Sequence, residues 1–212
     1  MPNLPNQLFR ILCSSETNKI AQATEFAQAH SLNIPQLLEE YGYAGIGLCQ
    51  ESDFLATTLD CSNRNLSVLP ALLPENLVEL DCSNNQLQSL PNNLPPNLSH
   101  LFCAHNQLTQ LPDDLPESLE EIICSHNQIS QLPNYLPDAL QEFDCSHNQL
   151  QSLTEYLSNT IVALDCSYNQ LTRLPDLHIW LEELNAKGNL FDCIIDLPEN
   201  CQSDLPACSK HN

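Results

Sequence analysis

A two-residue signature returns every 21 residues along the middle of this chain: Asp60-Cys61, Asp81-Cys82, Phe102-Cys103, Ile123-Cys124, Asp144-Cys145 and Asp165-Cys166. The fullest copies around it read L-x-x-L-D-C-S-x-N-Q-L-x-x-L-P. A unit this short cannot bury its own apolar face, so copies must stack and share a core. The expected architecture is therefore an α/β solenoid. Such a fold offers an extended binding surface rather than a reaction centre, and no enzyme activity is expected.

Each unit splits into two halves. In the second copy, Leu80 and Cys82 alternate with Glu79, Asp81 and Ser83, which is a strand with one face in and one face out. Asn85 should end the strand and satisfy backbone groups of the turn, as should Asn106, Asn127, Asn148, Asn169 and Asn189. The first copy has Arg64 in that slot. The return half carries Pro70/Pro74, Pro91/Pro95, Pro112/Pro116 and Pro133/Pro137, a spacing that forbids a regular helix. Thr154 and Ser158 replace the prolines of the fifth copy, where a looser segment is expected. The last step is one residue shorter.

These motifs resemble the leucine-rich repeat family, above all its short bacterial class with L-P-x-x-L-P on the convex side. The likeness covers about two thirds of the chain. It implies a parallel β-sheet on the concave face, a non-helical convex side and an N-terminal α-helical cap. It also implies a protein partner, because members of this class are often effectors that bacteria inject into host cells. Some members carry a C-terminal ubiquitin ligase with a C-x-D nucleophile motif. Cys193-Ile194-Ile195-Asp196 lacks that spacing, so ligase activity is not expected.

Three segments follow. Residues 1–53 are expected to form the helical cap, 54–194 about seven repeats, and 195–212 a C-terminal cap or tail. Within the first, helices are predicted over Leu4–Cys13, over Glu16–His30 with Ser14 or Ser15 as its cap, and from Asn33-Ile34-Pro35 to Tyr41, stopped by Gly42.

The charge is lopsided. Six lysines and arginines face 27 aspartates and glutamates, a net charge of -21, with no Lys or Arg between Asn65 and Thr172. Such a surface repels phosphate backbones and anionic lipid and favours a basic protein partner. The N-terminal apolar patch around Leu8 and Phe9 is too short for a secretory signal, and no run reaches membrane-spanning length. The expected protein is a monomer made in the bacterial cytoplasm, with translocation into a host cell implied by the resemblance. An intracellular bacterial adaptor is the alternative.

Candidate site residues come from the outward strand positions. The slot before the central leucine holds Thr58, Glu79, His100, Glu121, Glu142, Ala163 and Glu183; the next holds Asp60, Asp81, Phe102, Ile123, Asp144, Asp165 and Asn185; a third holds Ser62, Ser83, Ala104, Ser125, Ser146, Ser167 and Lys187. Phe102 and Ile123 interrupt a row of aspartates on adjacent strands, an apolar anchor ringed by carboxylates. The predicted partner-binding set is Glu79, Asp81, His100, Phe102, Glu121, Ile123, Glu142, Asp144 and Asp165.

His105, His126 and His147 share one slot with Tyr168 and could form a metal ladder or a plain polar ladder. Cys193, Cys201, Cys208 and His211 could hold zinc, though their spacings match no known finger. The acidic face lacks the loop that calcium needs. No cofactor is expected. The eleven cysteines are an odd number, and six occupy one inward slot, so these six read as buried thiols rather than a disulfide framework.

Overall fold

A computed structural model of the chain describes residues 3–154, 157–191, 198–199 and 201–203. Three helices open it: α1 (Leu4–Cys13), α2 (Lys19–Ala29) and α3 (Ile34–Glu40), followed by 3-10 turns at Ala44–Ile46 and Glu51–Leu55. α1 starts with a proline in its first turn and buries Leu8, Phe9, Leu12 and Cys13 on one face. α3 is capped by the Asn33 side chain, which accepts from Gln36 N at 3.2 Å, and Gly42 turns left after it at φ 82°.

α2 begins at Lys19, three residues later than its predicted start at Glu16, and its N-cap Asn18 makes no side-chain capping bond. Ser14 is used elsewhere. Its hydroxyl donates to Ile11 O at 2.8 Å and closes the end of α1, so it cannot cap α2.

Seven strands of three residues follow at the expected positions: β1 (Thr58–Asp60), β2 (Glu79–Asp81), β3 (His100–Phe102), β4 (Glu121–Ile123), β5 (Glu142–Asp144), β6 (Ala163–Asp165) and β7 (Glu183–Asn185). They pair in parallel in sequence order, Leu59 to Leu80 to Leu101 to Ile122 to Phe143 to Leu164 to Leu184. An eighth strand, β8 (Gln202–Ser203), extends the sheet and was not legible from the repeat pattern. Among the described residues no helix interrupts the proline-rich return segments. In the fifth copy, where a looser segment is expected, Thr154 is buried and Ser158 Oγ donates to Asp138 O at 3.1 Å, while residues 155–156 lie outside the described residues.

One continuous core runs from Leu8 to Ala186. Each of the first six repeats adds inward apolar side chains and one cysteine, and the seventh has Ala186 in the cysteine slot. Cys61, Cys82, Cys103, Cys124, Cys145 and Cys166 are fully buried thiols. The asparagines stitch the units together. Asn127 Nδ2 donates to Cys103 O (3.1 Å), Cys124 O (3.0 Å) and Ser125 O (3.2 Å), while its Oδ1 accepts from Leu108 N at 2.9 Å. Asn85, Asn106, Asn148 and Asn169 repeat this pattern.

Candidate interaction surface

The strand register arranges the outward side chains into columns. Glu79, His100, Glu121 and Glu142 are successive register partners, and so are Asp81, Phe102, Ile123, Asp144 and Asp165. All nine predicted residues therefore share one face of one sheet. Phe102 and Ile123 lie side by side and are half-buried rather than fully exposed. Ring centroids of His100 and Phe102 are 6.3 Å apart, and His100 Nε2 stands 4.0 Å from Glu121 Oε2. Burial, then the neighbouring Glu142, raises the Glu121 carboxyl above the ordinary range, against a lowering pull from His100.

The aspartate column is held from behind. Asp60, Asp81, Asp144 and Asp165 each accept the backbone N–H two residues on through Oδ1, at 2.9 Å. This folds the chain over after the strand. The third outward slot is a free surface only at its ends: Ala104, Ser125, Ser146 and Ser167 are buried, with or without an aspartate two residues before, whereas Ser62 and Ser83 are half-buried and Lys187 is exposed. The alternation that predicted them outward stops with the strand itself.

The next position bends further. Asn63, Asn84, His105, His126, His147 and Tyr168 all adopt left-handed backbone, with φ between 51° and 56°, and Gly188 continues the series at 70°. Asn and His tolerate this region better than most side chains. The rings stack face to face along the rim of the sheet. Centroids lie 4.2 Å apart for His105–His126, 4.1 Å for His126–His147 and 4.3 Å for His147–Tyr168, with interplanar angles of 10°, 11° and 19°. Partial burial, then the charges of His147 and His105, lowers the His126 imidazole below its ordinary value.

Ring-nitrogen lone pairs lie in the ring planes, so near-parallel stacked planes do not converge on one ion. Among the described residues no group of three or more His, Cys, Asp or Glu is placed to hold a metal. Of the tail candidates only Cys201 is described, with its thiol towards Gln202 O at 3.6 Å; Cys193, Cys208 and His211 lie outside the described residues.

Sequence reasoning missed large exposed apolar side chains outside the strands. Trp180 is 63% exposed and Tyr135 78% exposed, with Ile179 beside the tryptophan. Trp180 occupies the turn slot held by Asn76, Asn97, Ser118 and Thr160 in other units, so comparing units slot by slot would have found it. Among the described residues no helix is long and apolar enough to cross a membrane.

Comparison with known proteins agrees with this architecture. The family model described as Leucine Rich Repeat matches residues 76–96. The solved structure of YopM from Yersinia enterocolitica WA-314 is similar at 32% identity and a TM-score of 0.71, over 87% of this chain and 42% of that one. A Shigella effector LRR domain is similar at 33% identity and a TM-score of 0.64, over 76% of this chain and 69% of that one. This chain thus spans less than half the length of the Yersinia protein. No curated protein sequence matches significantly.

Proposed function

This chain belongs to the leucine-rich repeat family, and from that premise we propose that it is a protein–protein interaction module whose concave sheet face binds a basic protein partner. The observation carrying the reading is the half-buried Phe102–Ile123 pair on adjacent strands, surrounded by carboxylates that no lysine or arginine among the described residues neutralises. Apolar anchors within a polar rim are how interfaces concentrate affinity. A net charge of -21 would speed encounter with a cationic surface at low salt.

Its likeness to the Shigella effector domain supports a role inside a host cell, after translocation from the bacterium that makes it. We read residues 1–53 as a cap on the first repeat, 54–194 as the repeats and 195–212 as the C-terminal closure. Capture of partners on immobilised protein tests the function, with wild type and Phe102→Asp/Ile123→Asp run in parallel against eukaryotic and bacterial lysates. A eukaryotic partner lost in the double variant is the expected result. A partner indifferent to the variant overturns the concave-face reading, and a bacterial partner alone moves the function into the producing cell.

A further inference from the structure

Ala163 interrupts the outer carboxylate column of the sheet. Its register partners are Glu142 on β5 and Glu183 on β7. Two residues along the same strand, Asp165 lies between Asp144 and Asn185. The short side chain at Ala163 thus leaves a notch with a carboxylate on every side but one. It belongs to a groove of about 580 Å³ that extends from Ile123 to Ser203 and mixes apolar and acidic lining.

The groups around the notch are held ready and unbalanced. Asp165 Oδ1 accepts Ser167 N at 2.9 Å and its Oδ2 accepts Asn185 Nδ2 at 2.7 Å, so its carboxylate cannot swing away. Asp144 Oδ1 likewise accepts Ser146 N at 2.9 Å. Asn185 Oδ1 is buried with no hydrogen-bond partner, a costly state beside the notch. Among the described residues no lysine or arginine pairs with Glu142, Asp144, Asp165 or Glu183. Lys187, on the same segment as β7, lies over the Tyr168 ring instead, 5.8 Å from its centroid.

We propose that this notch is the seat of a single arginine side chain presented by a protein partner. The proposal rests on the concave-face reading and specifies one contact within it. A guanidinium suits the site better than an ammonium for a geometric reason. The acceptors stand in two rows about 6.6 Å apart, two residues along a strand. A planar fork of five donors can bridge both rows, whereas an ammonium concentrates its charge at one point. The aliphatic stem would rest on Ala163, with Ile123 at the far side of the groove.

The test is an NMR titration of the full chain with acetyl-Gly-Arg-Gly-amide and with the matching lysine and citrulline tripeptides. The expected result is shifts centred on Ala163, Asp165 and Asn185, with affinity falling about tenfold for citrulline and about threefold for lysine. Ala163→Leu, which fills the notch without changing the charge, should weaken the arginine peptide about tenfold while the thermal midpoint shows it folded. Asp165→Asn/Glu183→Gln should do the same, and Asp60→Asn/Glu120→Gln, an equal charge change outside the notch, should weaken it less than about twofold. Equal weakening by the two double variants would mean diffuse attraction only and would sink the proposal.

The captured partner separates this idea from the wider one. If capture is lost with Phe102→Asp/Ile123→Asp but unchanged with Ala163→Leu, the seat is wrong and the concave-face reading stands. If the tripeptide binds at the notch while the partner ignores every sheet-face variant, the arginine site stands and the concave-face reading fails.

Discussion

Lys19 Nζ, on the second helix, donates to Asn76 Oδ1 in the first repeat at 2.6 Å and to Ser14 O at 2.8 Å, in a side chain only 2% exposed. Asn76 in turn donates to Ala56 O. Helix and solenoid are therefore joined through one buried amine rather than by apolar contact alone. The Glu75 amide, which donates to Cys13 O at 2.6 Å, and Tyr43 OH, which donates to Leu72 O at 3.0 Å, complete the seam. Lys19→Ala should cost about 2–3 kcal/mol, since it strands two acceptors beneath the helices. Chemical denaturation checks this. Lys19→Met, which keeps the stem, should cost nearly as much, because the loss is of donors and not of volume.

The thiol ladder predicts alkaline unfolding. Burial pushes Cys13 and Cys61 up to about 12 from 9.0, and raises Cys82, Cys103, Cys124 and Cys145 as well. A raised thiol stays protonated in the folded state where the unfolded chain would release its proton. Its stabilisation is complete below about pH 9 and is lost as pH climbs towards the folded values. Each such thiol contributes about 1.4 kcal/mol of loss per pH unit in that window. Melting temperatures measured under reducing conditions should be flat from pH 7 to 8.5 and then fall steeply. Cys103→Ala/Cys124→Ala should be less stable at pH 7 yet show a shallower alkaline slope.

The asparagine ladder should be more sensitive at its centre than at its end. Asn127→Ala removes three donated bonds and one accepted bond from buried backbone in two repeats, and should cost about 3 kcal/mol. Asn189→Ala loses bonds to Cys166 O, Ala186 O and Leu171 N, but these are only part-buried, and the expected cost is about half as large. Paired urea titrations read the difference.

At the histidine rim, backbone and side-chain roles can be separated. His126→Asn preserves a residue that tolerates left-handed backbone and should be nearly neutral for folding, whereas His126→Val should cost about 1–2 kcal/mol. Because the His126 imidazole is lowered in the fold, its neutral form is the one that the native state favours. Stability from this group is present above pH 6.5 and declines as pH falls. An NMR titration should find His126 protonating below 6.5, and His147→Asn should move it upward.

Gly188 meets the same stack from the far side. A Cβ there would stand 2.6 Å from the Tyr168 ring, at a backbone φ of 70°. Gly188→Ala should destabilise by about 2 kcal/mol, and Tyr168→Asn should recover part of that loss in a double-mutant cycle.

Most of the solenoid was legible because its signal is repeated. Leu80 and Cys82 against Glu79 and Asp81 state a strand once, and six further copies restate it in the same register. The first helix was legible to the residue, since Pro5 and the spacing of Leu8, Phe9 and Leu12 leave little choice. What failed was reading without a second copy. Ser14 could serve either helix, and only the chain path decides that it closes the first. The burial of Ala104, Ser125, Ser146 and Ser167 could not be read from alternation, because the strand ends two residues before this column and the backbone turns left-handed one residue after it. The Ala163 notch was visible as a letter but not as a space, since its meaning depends on Glu142 and Glu183 standing beside it.

Every ladder asparagine holds backbone on both sides of a repeat boundary, and that governs how the molecule can come apart. Suppose unfolding halted between Cys103 and Cys124. Asn127 would then keep its bond to Cys124 O but lose those to Cys103 O and Leu108 N. The frontier between ordered and melted repeats is thus the most expensive place in the chain, wherever it falls. A one-dimensional array with a costly frontier and cheap propagation melts as a single block, so a ligand gripping two or three strands would hold all seven.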